Sequence, residues 1–340
     1  MDMIAILSKE FSLRPLQVQA VIELLDAGNT IPFIARYRKE ATGSLDDQVL
    51  RELAERLEYL RSLEKRRGEI EKALEEQGVL TDGIKAQLAA AHTLAEIEDI
   101  YRPFRPKRRT RATIARERGL EPLAAWLLLQ SPKADPAAEA EKYVNPEKEI
   151  PDAEAALAGA RDIIAEMVSD DAALRKKLRD TLSREGMVAT HAAKDEDSVY
   201  SMYYDFREPV GKIAAHRILA INRGEREEFL KVDLEAPEER CVSQVRSACV
   251  RGDSPSGEQV ALACADAWQR LLFPSLEREI RSDLTDRANE QAIKVFSQNL
   301  HQLLMQPPIK GKVTLGVDPG FRTGCKLAVV DENGRDVSGS

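Results

Sequence analysis

The 340-residue chain sets 50 Lys and Arg against 58 Asp and Glu, a formal net charge of −8, which argues against uniform coating of nucleic acid but leaves room for a local basic patch. Charged residues make up 32% and aromatics 5%, a balance that favours a helical protein over a β-sandwich. No apolar run approaches the roughly 18 residues that span a bilayer. MDMIAILSKEFSL has no basic stretch leading into an apolar core, so no signal peptide is read. Cys241, Cys249, Cys264 and Cys325 show no CxxC spacing, which argues against a zinc site and favours reduced thiols of a cytoplasmic protein.

In residues 13–40, Leu16, Val18, Val21, Ile22, Leu24 and Leu25 make an apolar helix face that ends at Gly28-Asn29. A second short helix follows from Pro32 and carries Arg36, Arg38 and Lys39. Helix, glycine turn, helix is compatible with a helix-turn-helix unit, a pattern that most αα-hairpins share without touching DNA. Ser44 is read as the N-cap of the next helix, with Asp46 and Asp47 in its first turn. Leu50, Leu53, Leu57, Leu60, Leu63, Ile70 and Leu74 then give a near-heptad seam, for packing against other helices or for a short coiled coil.

Residues 101–118 read YRPFRPKRRTRATIARER, eight cations against one Glu in a chain that is acidic overall. Two X-Pro steps make its first part extended. Arg105, Lys107, Arg108, Arg109 and Arg111 are candidate phosphate contacts, with Tyr101 and Phe104 as rings on which bases stack. The competing reading is a solvated loop whose cations pair with nearby acidic helices and whose two rings pin it to the core. Arg36, Arg38 and Lys39 are a second, smaller candidate patch.

A helix resumes over 119–129, and Pro/Ala/acid-rich connections lead to helical residues 152–182, with Ile163, Ile164, Met167, Leu174 and Leu178 as the expected buried set. MVATHA alternates, SVYSMYYDFREPV clusters aromatics, and FLKVDLE reads as a strand, so a small α+β insertion is expected after Gly186. His216, Arg217 and Arg223 are a possible further cationic face, with no nucleophile beside the histidine.

Residues 275–305 form the longest helical pattern. Leu276, Ile280, Leu284, Ala288 and Ala292, then Phe296, Leu300 and Leu304, recur every four residues on one face. Pro274 is read as its start and Pro307-Pro308 as its stop. Some thirty residues at about 1.5 Å each make a rod of roughly 45 Å. VTLGVDPG then reads as a strand, acid and glycine turn, and CKLAVVDENG as a returning strand with a hairpin turn at Asn333-Gly334. In ribonuclease-H-like nucleases such a first-strand Asp holds Mg²⁺. In actin-like and sugar-kinase ATPases a similar glycine loop wraps phosphates. Asp318, Gly320, Thr323 and Gly324 fit both. One carboxylate does not make a two-metal site, so no metal or other cofactor is expected, with Mg²⁺ arising only under a nuclease reading of Asp318.

TIPFIARYRKEATGSLDD, IEDIYRPFRPKRRTRATIARERGL, HRILAINRGE, IKVFSQNLHQLL and TLGVDPGFRTGCKLAVVD together resemble the bacterial Tex family of transcription accessory proteins, in the family's order and over essentially the whole chain. One departure is Ala214-Ala215 before His216-Arg217, where the family more often shows Pro-Ser. The resemblance implies a mainly α fold: a helical N-terminal region over 1–195 with a helix-turn-helix-like unit, a central region over 196–310 with short strands and the long helix, and the first hairpin of a YqgF-type, RNase-H-like domain over 311–340. Helix-hairpin-helix modules and an S1 RNA-binding domain would follow in the family, so the chain is expected to be an N-terminal portion without nuclease or ATPase activity. The implied function is a cytoplasmic, non-catalytic scaffold that binds RNA or DNA, RNA in particular, and acts around transcription beside RNA polymerase or the ribosome. The alternatives are a metal-dependent nuclease or resolvase using Asp318, and a protein-docking module that binds no nucleic acid.

Overall fold

The computed structural model describes residues 2–106, 109–194, 196–307, 311–320 and 324–337. The N-terminal helices are short and individually capped. Asp2 caps α1 (Met3–Glu10), accepting from the Ala5 N–H at 2.9 Å. α2 (Pro15–Asp26) opens on a proline, whose missing N–H has no partner to lose there. It ends where Gly28 takes φ +77° and the Asn29 amide donates to the Leu24 carbonyl at 2.8 Å. α3 (Ile31–Tyr37), only two turns long, and the single-turn α4 (Lys39–Thr42) follow. At Gly43, φ is +73° and a Cβ would lie 2.2 Å from the Gln17 amide nitrogen, which donates to the Thr42 carbonyl at 2.9 Å. Conformation and space both demand glycine there.

α5 (Asp47–Glu76) is capped by Asp46, which accepts from the Val49 N–H at 2.8 Å. Ser44, the expected cap, has φ +63°, whereas an N-cap needs extended backbone. Every predicted seam residue is buried, and the seam packs on the chain's own helices. Leu50, Leu53, Leu57 and Leu60 join Leu7, Val18, Val21 and Ile34, while Leu63, Ile70 and Leu74 join Leu88, Ala91 and Ile97. Arg67 occupies a seam position as well. It is 5% exposed, and its guanidinium donates to the Leu88 and Ala91 carbonyls at 2.9 and 3.0 Å, closing the C-terminal end of α6 (Asp82–Ala90). α7 (Leu94–Tyr101) starts on a capping box formed by Thr93 and Glu96.

α8 (Arg111–Glu117), α9 (Glu121–Leu129) and α10 (Pro136–Glu141) surround α11 (Ala153–Ser169), which buries Ala156, Ala160, Ile163 and Ile164 and is followed by α12 (Ala172–Glu185). Leu174 and Leu178 are buried as expected, whereas Met167, in the last turn of α11, is half exposed. The expected insertion is a three-stranded antiparallel sheet in the order β2-β1-β3, built from β1 (Met187–Ala192), β2 (Asp205–Pro209) and β3 (Leu230–Glu235). α13 (Ala215–Arg226) lies between the last two strands in the chain. Tyr200, Tyr203, Ile221 and Leu230 form the insertion's core.

α14 (Glu238–Cys249) and α15 (Pro255–Asp266) lead through a π-helical segment, Ala267–Leu272, into α16 (Phe273–Leu304). Pro274 therefore sits inside a helical run unbroken from Pro255 to Leu304 instead of starting it. The Phe273 N–H donates five residues back to the Trp268 carbonyl, and this wider turn accommodates a proline that an α-helical interior would reject. Leu276, Ile280, Leu284 and Ala288 are buried, whereas Phe296 (67%), Leu300 (41%) and Leu304 (73%) are exposed. β4 (Thr314–Gly320) and β5 (Gly324–Val330) form an antiparallel hairpin, and the turn at Asn333-Gly334 is held by Asp331, which accepts from the Asn333 and Arg335 N–H groups.

The chain divides into two compact units, Met1–Gly186 with Ala236–Arg278 and Met187–Glu235 with Glu279–Ser340. Units defined by contact thus differ from the expected sequence blocks, because the sheet's three strands come from both sides of residue 195. No described helix is long and apolar enough to cross a membrane.

Candidate nucleic-acid interface

In α3 and α4 the short helices leave Arg36, Tyr37, Arg38 and Lys39 consecutive and exposed. Phe33 and Tyr37, one helical turn apart, stack at 5.2 Å between centroids. The Arg38 guanidinium lies 5.0 Å from the Phe33 ring centre and that of Arg36 lies 6.0 Å from Tyr37. Pro32, Phe33, Arg36, Tyr37 and Lys39 line an open groove of about 580 Å³ whose edge is Asp47. That carboxylate is held by Arg51 at 2.8 Å. Among the described residues, Arg36, Arg38 and Lys39 have no carboxylate within ion-pair distance. Three exposed cations, the exposed Tyr37 ring and the half-buried Phe33 ring thus lie together, an arrangement that suits phosphates and unstacked bases.

The longer tract is built differently. Tyr101 and Phe104, the latter in a 3-10 turn (Arg102–Phe104), are half buried against the cluster of Leu63, Ile70, Leu74, Leu88 and Ile97. Arg109 pairs with Glu117 at 3.3 Å, Arg116 with the buried Glu166 at 2.7 Å, and Arg118 with Glu149. Arg105 and Arg111 are exposed, and the charge of Arg111 reaches Asp162. Lys107 and Arg108 lie outside the described residues. Much of this tract therefore answers acids within its own unit, and both rings contribute to packing. Of the third cationic group, Arg217 donates to Glu208 at 2.7 Å and lies over Phe206.

Asp318 is exposed in β4, directly across from Lys326 of β5, and Thr323 lies outside the described residues. Among the described residues no group of three or more His, Cys, Asp or Glu is placed to hold a metal ion. A lone carboxylate facing a lysine does not fit a two-metal nuclease centre.

The sequence singles out Arg36, Arg38 and Lys39 as candidates, and the structure adds Phe33 and Tyr37 beside them, whose i,i+4 spacing between cations was the available signal. The sequence gives no sign of a buried ion cluster. Asp99 (3% exposed) receives Arg175 Nε and Arg179 Nη2, each at 2.5 Å, with Arg102 at 4.0 Å. Arg175 and Arg102 both also reach Ser275 Oγ, at 3.3 and 3.4 Å.

Comparison with known proteins agrees with the chain's layout. Family models described as the Tex-like protein N-terminal domain, the Tex central region and the Tex protein YqgF-like domain match residues 1–75, 131–296 and 312–339. The chain is 44% identical over 348 residues to "Transcriptional accessory protein Tex" of Neisseria gonorrhoeae, covering 98% of this chain and 45% of that protein. "Uncharacterized protein YdcI" of Bacillus subtilis is 45% identical over 97% of this chain and 46% of its own length. "S1 RNA-binding domain-containing protein 1" of Homo sapiens is 29% identical over 97% of this chain and 34% of its own. The chain thus spans about half the length of the bacterial relatives. With three family models falling in order along one chain, and near-complete alignment to proteins that carry the name, the chain belongs to the Tex family.

Proposed function

We propose that this chain is the part of a cytoplasmic transcription accessory protein that binds single-stranded nucleic acid, RNA in particular, as a non-catalytic scaffold beside RNA polymerase or the ribosome. The observation that carries the proposal is the cluster of Phe33, Arg36, Tyr37, Arg38 and Lys39. The names of the relatives, a transcriptional accessory protein and an S1 RNA-binding domain protein, support the same class of ligand. Cations that displace condensed counterions supply affinity without sequence preference, and aromatic faces add about 1–3 kcal/mol per stacked base. Arg105 and Arg111, two exposed cations of the longer tract, would extend the contact.

Ultraviolet crosslinking to a short single-stranded RNA, followed by peptide mapping, tests this reading. Crosslinks on the peptide holding Phe33, or on Tyr37, are expected. Crosslinks confined to other segments would move the interface away from α3 and α4, and their absence throughout would refute RNA binding by this chain.

A further inference from the structure

The α3–α4 groove is cationic except at one point. Arg36 and Lys39 line it as cations, while Tyr37, 60% exposed, and the half-buried Phe33 supply its rings. Asp47, the first residue of α5, lines the same groove as a carboxylate. An anion beside a phosphate contact opposes it, so Asp47 does not serve the backbone of a bound strand. Nor does α5 need Asp47 as its cap, because Asp46 takes that place through the Val49 N–H. Arg51 donates to Asp47 Oδ2 at 2.8 Å, and among the described residues Oδ1 has no hydrogen-bond donor. The groove, about 580 Å³ in volume, thus holds an oriented carboxylate with an open acceptor together with an exposed aromatic ring.

An unpaired base stacked on an aromatic side chain leaves its Watson–Crick edge open to hydrogen bonding. Guanine alone carries two adjacent donors on that edge, N1–H and the N2 amino group, which match the two oxygens of one carboxylate. Adenine and cytosine each set an amino donor beside a ring-nitrogen acceptor, and uracil sets one N–H between two carbonyls. Each of those three turns a lone pair toward the second carboxylate oxygen, which leaves an acceptor without a donor. We infer, given RNA binding at α3–α4, that the groove is a nucleobase site selective for guanine. Tyr37 stacks on the base, Asp47 accepts from N1–H and N2–H, and Arg36 and Lys39 hold the flanking phosphates.

Fluorescence-anisotropy titrations compare short oligouridines that carry one central guanosine, inosine or adenosine. Inosine keeps N1–H and lacks the N2 amino group, and adenosine keeps a purine's stacking area without the paired donors. The guanosine oligomer should bind wild type about five-fold or more tighter than the adenosine oligomer, with inosine between them, the lower end of what a bidentate base contact discriminates. Asp47→Asn leaves the Asp46 cap and the rings in place and presents one acceptor beside one donor, the pattern that complements adenine. In that variant the guanosine preference should vanish or reverse, whatever the lost charge does to affinity for every RNA. Equal affinity for the guanosine and adenosine oligomers in wild type, or a preference unchanged in Asp47→Asn, would overturn guanine selection. The α3–α4 interface would survive that result if Arg36→Ser/Arg38→Ser/Lys39→Ser still weakened all three oligomers. Binding unaffected by those three substitutions, or no binding at all, would overturn the interface and guanine selection together.

Discussion

Replacing Asp99 with alanine removes the anion at the centre of the buried cluster in the first unit. Arg175, 1% exposed, would lose its closest carboxylate while its charge stays in the core, and Arg179 is close enough to the surface to turn toward water. Breaking a buried pair by deleting one partner costs about 3–5 kcal/mol, since the surviving charge remains desolvated. At about 2–4 °C per kcal/mol for a unit of this size, the unfolding midpoint should fall by roughly 6–20 °C. Thermal and urea unfolding followed by far-ultraviolet circular dichroism read this directly. Asp47→Ala is the control, because the Asp47–Arg51 pair is 48% exposed on both sides and such pairs contribute less than about 1 kcal/mol. The double variant Asp99→Leu/Arg175→Met should recover more than half of the loss, since an apolar pair removes both buried charges together. An Asp99→Ala protein within about 0.5 kcal/mol of wild type, or a double variant worse than the single one, would refute this account of the cluster.

Three further outcomes are expected. Gly224→Ala should destabilise the second unit by about 1–3 kcal/mol, seen as a lower urea midpoint, because the new methyl would stand 2.7 Å from Leu230 Cδ1 and 3.1 Å from Tyr200 Cδ1. Arg67→Met, in the α5 seam, should lower the midpoint by about 1–3 kcal/mol despite its apolar gain, because the Leu88 and Ala91 carbonyls lose the guanidinium N–H groups that donate to them, and the Leu88 carbonyl keeps only the long bond from the Ala91 N–H at 3.3 Å. Glu10 is held below its ordinary pKa by the two-pronged bond from Arg56, at 2.7 and 2.8 Å. That small contribution is fully present above the unfolded value of about 4.3 and is lost as pH falls through the lower folded value. The stability difference between wild type and Glu10→Gln should accordingly shrink in acid, as urea midpoints across pH will read.

What the sequence revealed follows from periodicity and local chemistry. The α5 seam, the small sheet with its aromatic core and the β4–β5 hairpin were legible because each is a repeat or a turn within a short window. Periodicity also placed Leu276 through Leu304 on one face of α16, yet it carries no information about what covers that face, and the row passes from buried to exposed after Ala288. Pro274 read as a start because a proline inside a helix is normally excluded, and only the π turn before it permits the continuation. The Asp99–Arg175 pair joins residues 76 apart and left no local trace. The basic tract was conspicuous by composition, but composition does not show which cations already have acids. Arg109, Arg116 and Arg118 do, while among the described residues the smaller Arg36, Arg38 and Lys39 group does not.

The central claim is that the α3–α4 cluster contacts phosphates, and the salt dependence of RNA binding tests it most directly. Fluorescence-anisotropy titrations of a short single-stranded RNA at several salt concentrations would compare wild type, Arg36→Ser/Arg38→Ser/Lys39→Ser and Arg105→Ser/Arg109→Ser/Arg111→Ser. Each phosphate contact contributes about 0.7 to the slope of log affinity against log salt, so loss of the α3–α4 cations should flatten it by about 2. The second variant, with Arg109 already committed to Glu117, should flatten it less. Equal slopes for wild type and the α3–α4 variant would contradict the account, and absence of binding at low salt would remove nucleic-acid recognition from this chain.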